Sequence, residues 1–513
     1  MDSVIKNLPE DPVLLKELLA EKLSEIEKLK GDIGVLQEQV NVLLAKRFGP
    51  SSEKQTIDIS GQFDEAEDDH ESAESETPET IEVPAHTRQK PKRKPLPKGL
   101  PREEVVHDLP VEEKICSIDG SDLEEVGQEI SEQLEIIPAQ IKVIRNIRIK
   151  YGCPHCHKGI KTAAMPPQAI PKSMAAPGLL AYIVTSKYVD GLPLYRQTNM
   201  LQRIGMELSR STLSQWMIKL GILIQPLINL LRDHLLESGY IQMDETTVQV
   251  LNEKDRPATS KSYMWVQRSF STKGNIILFD YDPTRKQEVP KRLLEGFSGY
   301  LQTDGYAGYN LVGSQDSIIL FSCWAHARRK FDEAVKALGK KGKLKPGRAQ
   351  KGLAFIQSLY QIERLAKKMT PDERFKFRRE HALPILDKFK IWLDKALPEV
   401  PPKSALGMAL GYTDKLWPRL VCYLEDGRLE IDNNGVENAI RPFVVGRKGW
   451  LFSSATRGAD ASANLYSMIE TAKANGHEPY RYLYQVFTEL PKIESIDEFE
   501  ALLPMNLTPK TIS

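Results

Sequence analysis

Tyr240-Ile-Gln-Met-Asp-Glu-Thr-Thr-Val-Gln-Val250 is the stretch on which the fold turns. It reads as a strand, and because side chains alternate along a strand, Asp244 and Thr246 share one face while Glu245 takes the other. Working outward, a polar turn leads to a second strand over residues 262–268, and Gly274 marks a hairpin turn into a third over 275–281. A helix over 286–294 follows, then a fourth strand over 300–304 that ends in Asp304 and is stopped by Gly305. A short helical piece near Tyr309 precedes a fifth strand over 317–323.

The order β-β-β-α-β-α-β belongs to an α/β, RNase H-like fold, in which three antiparallel strands continue into a mixed five-stranded sheet covered by helices. First and fourth strands lie side by side in that topology, so Asp244 and Asp304 are expected to share a cation. A carboxylate set among Ile241, Met243 and Val248 is costly to bury unless it is paired or bound to metal. Asp432-Asn-Asn-Gly-Val-Glu437 opens a later helix, with Asn438, Arg441, Arg447 and Lys448 behind it. Glu437 in the first turn is the third candidate. Three carboxylates hold two divalent ions about 4 Å apart, an arrangement that activates an attacking oxygen and stabilises the leaving one at phosphorus. The helix dipole alone also favours a carboxylate there, so both readings of Glu437 stand at this point. Between Asp304 and Glu437 the chain is rich in helix formers and reads as an all-helical insertion over 325–424.

The 513 residues are too many for one ordinary domain. Lys+Arg and Asp+Glu both total 70, so overall charge says nothing about a nucleic-acid partner and local distribution must carry that question. An apolar share of 41% suffices for packed cores, and five cysteines exclude a disulfide scaffold and fit a reducing compartment. Met1-Asp-Ser3 shows no secretory pattern, and the most apolar stretch, 221–231, is far short of a membrane span. A multidomain cytosolic protein is expected, with no membrane partner.

Ahead of the sheet, Leu19, Ile26, Ile33 and Val40 take heptad position a, and Leu15, Leu29, Leu36 and Leu43 take d. β-branched a with leucine d favours a parallel two-stranded coil. Lys22 at d and the glycines Gly31 and Gly34 weaken it, and a single helix packed on its own chain is the alternative. An acidic run from Asp58 to Glu82 lacks Lys and Arg and reads as a disordered linker, followed by a basic, proline-rich stretch from Arg88 to Lys98. Cys153-Pro-His-Cys156 has the spacing of a zinc knuckle. Its counterpart at Cys116 has Asp119 where a second cysteine belongs, with His107, His155 and His157 as reserves. A strand over 133–151 would make the module zinc-ribbon-like, with Cys116, Asp119, Cys153 and Cys156 as zinc ligands, or a β module that has lost its metal. A helix over 194–204, a break at Gly205, a cap at Ser209 and a second helix over 210–220 form a helix-turn-helix pattern. Arg210, Ser211, Ser214, Gln215 and Lys219 would face DNA, unless the pair is an ordinary helical hairpin.

The expected divisions are a dimerisation coil at 1–54, a linker at 55–100, the β module at 101–165 and the helix-turn-helix domain at 166–236. The core follows at 237–324, then the insertion at 325–424, the core's C-terminal part at 425–490 and a tail at 491–513.

Six motifs in order resemble the insertion-sequence-66 family of bacterial transposases. They are Arg47-Phe-Gly-Pro-Ser-Ser-Glu-Lys54, Met243-Asp-Glu-Thr246, Thr303-Asp-Gly-Tyr306, Cys323-Trp-Ala-His-Ala-Arg-Arg329, Asp432-Asn-Asn-Gly-Val-Glu437 and Gly446-Arg-Lys-Gly-Trp-Leu-Phe452. The resemblance covers nearly the whole chain and implies a DDE transposase, a DNA strand-transfer enzyme with catalytic Asp244, Asp304 and Glu437 on two Mg²⁺ or Mn²⁺ ions. Cys323 and His326 match a signature of such transposases and are expected to support the site's geometry. Arg441, Arg447 and Lys448 are expected on DNA. The resemblance further implies transposon ends with terminal inverted repeats and target DNA as partners. Small accessory proteins, a homodimer or higher oligomer, and a cytoplasmic, nucleoid-associated location are expected too. A catalytically inactive DNA-binding regulator and an RNase H-like nuclease without strand transfer are the alternatives.

Overall fold

The computed structural model describes residues 11–48, 141–152, 160–271, 274–338 and 347–509. The chain divides into two compact units, one of residues 1–52 and 148–509 and the other of 53–147 and 510–513. Of the smaller unit only 141–147 is described; it lacks regular structure, and its Val143 is 92% exposed. Cys116, Asp119, Cys153, Cys156, the reserve histidines and the linker at 55–100 lie outside the described residues.

The larger unit opens with one long helix, α1 (Pro12–Phe48). A small hairpin follows, β1 (Lys150–Gly152) antiparallel to β2 (Ile160–Thr162). Of the strand expected over 133–151, residues 133–140 lie outside the described residues, 150–151 are in β1, and 141–149 depart from the expectation. Residues 141–149 are irregular, and Ile141, Val143, Ile144, Ile147 and Ile149 are all exposed, so no buried face holds them in a sheet. Then come α2 (Pro177–Tyr188), α3 (Leu194–Arg203), α4 (Arg210–Leu223) and α5 (Gln225–Leu236). The α3–α4 pair has the expected helix-turn-helix layout. The Ser209 side chain accepts from the Thr212 amide at 3.0 Å, and Leu213, Trp216, Met217 and Leu220 point inward. No helix among the described residues is long and apolar enough to cross a membrane.

A mixed sheet follows: β3 (Tyr240–Asn252), β4 (Lys261–Ser271), β5 (Gly274–Asp282), then α6 (Glu288–Leu293), β6 (Gly299–Thr303) and β7 (Ile318–Ser322). Its spatial order is β5-β4-β3-β6-β7, antiparallel through the first three strands and parallel from β3 to β7. These five strands stand close to where their periodicity placed them, but the sheet has six strands rather than the five expected, because a short later strand at 453–455 pairs parallel with β3 at Val250 and Asn252. Next come the helices α7 (Trp324–Ala337), α8 (Arg348–Ala366), α9 (Pro371–His381), α10 (Leu383–Ala396), α11 (Ala405–Lys415) and α12 (Trp417–Val421). The chain then returns to the sheet through α13 (Asn434–Trp450), β8 (Ser453–Ala455), α14 (Thr456–Ala474) and α15 (Pro479–Glu489).

Among the described residues two apolar cores result. One joins α2–α5, the sheet's Ile241, Met243, Val266 and Phe279, and α13–α15, so the helices ahead of the sheet share its core. In it α14 covers the open edge of β5. The Thr471 and Ser467 hydroxyls accept from the Ile277 and Phe279 amides at 3.0 and 2.7 Å, and Asn475 accepts from the Asn275 amide at 3.1 Å. Hydroxyls facing the edge satisfy donors that would otherwise template another strand. The second core fills the insertion around Trp324, Phe331 and Phe389. There the fully buried Arg378 binds both oxygens of Glu363 at 2.8 and 2.7 Å and the carbonyls of Tyr423, Asp426 and Leu429. That one guanidinium pins the segment returning towards the sheet.

α1 leans on this insertion. Asn41 donates to the Ala337 carbonyl at 2.9 Å, and Glu38 accepts from the Ala405 amide at 3.0 Å. Its a and d residues Leu19, Ile26, Leu29, Ile33, Leu36, Val40 and Leu43 are exposed.

Candidate active site

The site is built by register. β3 and β6 run parallel with Gln242 opposite Gln302, and Asp244 and Asp304 each follow two residues later. Side chains two residues apart share a face, so both carboxylates continue the row begun by the glutamines. The row is polar and closed. Tyr240 and Gln242 donate to Gln302 Oε1 at 2.7 and 2.8 Å, and Gln242 also donates to Glu430 Oε2 at 2.8 Å and the Asp432 carbonyl at 3.1 Å. Arg268 from β4 completes it, donating to Gln242 Oε1 at 2.8 Å and Glu430 at 3.2 Å.

This layer seats the helix that carries the third carboxylate. Asn433 donates from its side chain to the Met243 carbonyl at 3.2 Å, immediately before Asp244. Gly435 lies against the Arg268 guanidinium and 2.7 Å, measured from where a Cβ would sit, from Gln242 Oε1. A side chain there would displace the Arg268 guanidinium and Gln242 from their hydrogen bonds or lift α13 off the sheet. Glu437 stands in the first turn of α13. Asp304 is held by its own turn: Gly305 adopts φ +88, Asp304 Oδ1 accepts from the Tyr306 amide at 2.8 Å, and its carbonyl accepts from Tyr412 of α11 at 2.9 Å.

The charges of the three carboxylates act on one another. Burial pushes the Asp244 carboxyl up to about 8, and the charges of Glu245, Asp304 and Glu437 push the same way. Glu437 is raised by burial and by Asp432 and Asp304, against the pull of Arg329 and Arg441. Its Oε1 is buried with no hydrogen-bond partner. Anions crowded this way call for a cation.

Beside Glu437 two helix starts converge. Cys323 precedes α7, and its Sγ accepts from the Asn433 amide at 3.1 Å, while the Trp324 amide donates to the Ile431 carbonyl at 3.1 Å. His326 Nε2 lies 3.9 Å from Glu437 Oε1, and Arg329 lies 3.9 Å from Oε2. Cys323, His326 and Glu437 thus offer ligand atoms within 4.8 Å of one another.

Glu245 lies on the opposite face of the strand from Asp244, as the alternation requires, but it is not a solvated acid. Its side chain is 2% exposed and paired with Arg285. Tyr309 donates to its Oε2 at 2.6 Å. Arg285 in turn stacks over the Tyr306 ring at 3.7 Å and accepts at its carbonyl from the Tyr306 hydroxyl at 3.0 Å. The cluster braces the turn that carries Asp304.

Comparison with known proteins supplies the family. The description "Transposase IS66 family" matches residues 172–461, from the helices ahead of the sheet to beyond Glu437. The chain belongs to the IS66 family of transposases. "Transposase C of IS166 homeodomain" matches 35–105, "zinc-finger binding domain of transposase IS66" matches 113–157, and "IS66 C-terminal element" matches 467–505. Among relatives, the "Uncharacterized protein y4qI" of Sinorhizobium fredii (strain NBRC 101917 / NGR234) is 32% identical over 96% of this chain and 92% of its own. The "Uncharacterized protein y4jD" of the same strain is 31% identical over 80% of this chain and 81% of its own.

In this transposase Arg210, Ser211, Gln215 and Lys219 are exposed along one face of α4, and Ser214 is half-buried beside them. Arg441 and Lys448 are exposed on α13, whereas Arg447 is half-buried and donates to the Thr246 and Thr247 hydroxyls at 3.3 and 3.2 Å. Arg447 therefore holds helix to strand. Sequence reasoning missed Gln242, Gln302, Arg268 and Glu430. The signal for the glutamines was present: each sits two residues before a candidate aspartate, on the same strand face. Arg268 and Glu430 carried none, because their partners come from distant segments.

Proposed function

We propose that this IS66-family transposase binds the ends of its element, cleaves them, and joins the freed 3′-hydroxyls to target DNA from an RNase H-like core. The observation that supports this reading is that Asp244 and Asp304 each follow the paired Gln242 and Gln302 by two residues, and that Asp244, pushed up to about 8 chiefly by burial, also feels the charges of Asp304 and of Glu437 in the first turn of α13. The unpartnered Glu437 Oε1 and the crowded carboxylates fit a pair of Mg²⁺ or Mn²⁺ ions. Such ions supply Lewis-acid stabilisation of charge at phosphorus and of the attacking and leaving oxygens. The protein's part is placement. Asp244 and Asp304 are set by strand register, Glu437 by the seating of α13 on the glutamine layer, and Arg329 stands by to meet phosphate charge. The α4 face bearing Arg210, Ser211, Ser214, Gln215 and Lys219 grips end DNA, with Arg441 and Lys448 nearer the chemistry. We assign zinc to the module matched at 113–157, through Cys116, Asp119, Cys153 and Cys156. The exposed a and d residues of α1 pair two copies.

The deciding experiment incubates the protein and Mg²⁺ with labelled end DNA and a target duplex. Cleaved ends covalently joined to target are expected. Cleavage without joining would make it a nuclease, and DNA binding without cleavage a regulator.

A further inference from the structure

The Cys323-His326 pair matches a motif but has no task in the reaction proposed above, since Mg²⁺ binds oxygen and declines thiolates. We propose that Cys323 Sγ, an imidazole nitrogen of His326 and Glu437 Oε1 form a binding site for one thiophilic divalent cation of the zinc class, adjoining the carboxylate trio and sharing Glu437 with it.

Four observations carry this. The three donors are one thiol, one imidazole and one carboxylate, a mixed set that zinc takes in tetrahedral sites with a fourth position left open. Their ligand atoms lie within 4.8 Å of one another, and His326 Nε2 is 3.9 Å from Glu437 Oε1. Metal–ligand bonds of roughly 2.0–2.3 Å place tetrahedral donors about 3.3–3.6 Å apart, so a small inward turn of two side chains closes the set. Buried polar atoms stand without partners at the same place: Glu437 Oε1 and His326 Nδ1. Finally, Cys323 lies where two helices start, α7 and α13, and its Sγ already accepts an amide from the second, while burial pushes the free thiol up to about 12, so the cation itself must displace the proton.

Binding costs one proton: the Cys323 S–H bond breaks, the proton passes to solvent, and the sulfur lone pair goes to the metal. Arg329 opposes the ion from the other oxygen of Glu437 at 3.9 Å and must swing towards solvent, where its side chain is already half exposed. Occupancy removes Glu437 from the trio. On the reading proposed above, zinc is then an inhibitor of the Mg²⁺-supported reaction.

The test uses Co²⁺ alone, titrated into the full chain carrying Cys116→Ser, Cys153→Ser and Cys156→Ser, which leaves Cys323 and Cys422 as its thiols. One equivalent is expected to bind with a thiolate-to-cobalt absorption and a tetrahedral visible band. Both should vanish when Cys323→Ser is added, and the visible band should weaken with His326→Ala. Bands that never appear, or that survive Cys323→Ser, overturn the site. Should the triple variant not fold, the wild-type spectrum minus that of Cys323→Ser alone gives the same answer, and identical spectra overturn it. Zinc should also slow Mg²⁺-supported cleavage in wild type and not in Cys323→Ser. A cobalt site present without that inhibition upholds the site and counts instead against the catalytic role of Glu437.

Discussion

Asp244 and Asp304 each stand two residues past the Gln242–Gln302 pair of neighbouring parallel strands, so the hydrogen-bond register of β3 and β6 carries both to the same end of the sheet. Asp244 stands within β3, whereas Asp304 sits in the turn just past the end of β6, held there by the Tyr306 amide and the Tyr412 hydroxyl. Glu437 is different, since it arrives on a helix whose position depends on the insertion and on the polar layer beneath it.

Substituting Asp244→Asn, Asp304→Asn or Glu437→Gln one at a time should abolish cleavage, by a thousandfold or more, because each removes charge that holds the ions. Gel-shift affinity for end DNA should not fall in any of them. An active Glu437→Gln would remove that residue from the trio.

Asp244 also makes a pH prediction. Its carboxyl is raised to about 8 in the folded, metal-free chain from its ordinary value of 3.8, so between those pH values the folded state holds a proton that the unfolded chain has released. Stability contributed by this group therefore falls as pH rises through that window, by an amount on the order of a few kcal/mol at most. Metal-free Asp244→Asn should have a higher Tm than wild type at pH 8, and the two should converge at pH 5. Mg²⁺ binding at pH 7 should release a proton, visible as a calorimetric heat that changes with the buffer's ionisation enthalpy.

Glu245→Ala removes one partner of a buried pair and strands Arg285 and the Tyr309 hydroxyl. A loss of about 3 kcal/mol of stability is expected in chemical denaturation. This acid is therefore no neutral control for its neighbour Asp244. Glu245→Gln, which keeps one acceptor, should lose less.

On α4, Arg210→Ala with Lys219→Ala should weaken binding to end DNA and reduce the slope of log affinity against log salt by about 2, as two phosphate contacts go. An unchanged slope would assign the α3–α4 pair to scaffolding.

For α1, Leu29→Lys with Leu36→Lys keeps helix propensity while charging the exposed seam. Sedimentation of the full chain should shift from dimer to monomer at micromolar concentration. The contacts of Glu38 and Asn41 with the insertion lie on another face, so the fold should persist.

The sequence by itself determined the order of elements, the strand phase of Asp244 and Glu245, the cap at Ser209 and the heptad stripe of α1. Periodicity, turn residues and caps act over a few neighbours, and they are written locally. It also misled locally: the run of isoleucines and valine from Ile141 to Ile149 has strand composition but is irregular and exposed, since composition does not supply a partner. What tertiary structure alone decided is which polar groups are covered and by what. Glu245 and Arg285 look like ordinary surface charges in the sequence, as do Arg447 and Arg378, until their partners arrive from other segments. Glu437 reads equally well as a helix-dipole carboxylate until Asn433 bonds the strand at Met243 and Gly435 lets α13 settle on Arg268. Burial and pairing are sums over residues far apart in the chain, and only the packed fold evaluates them.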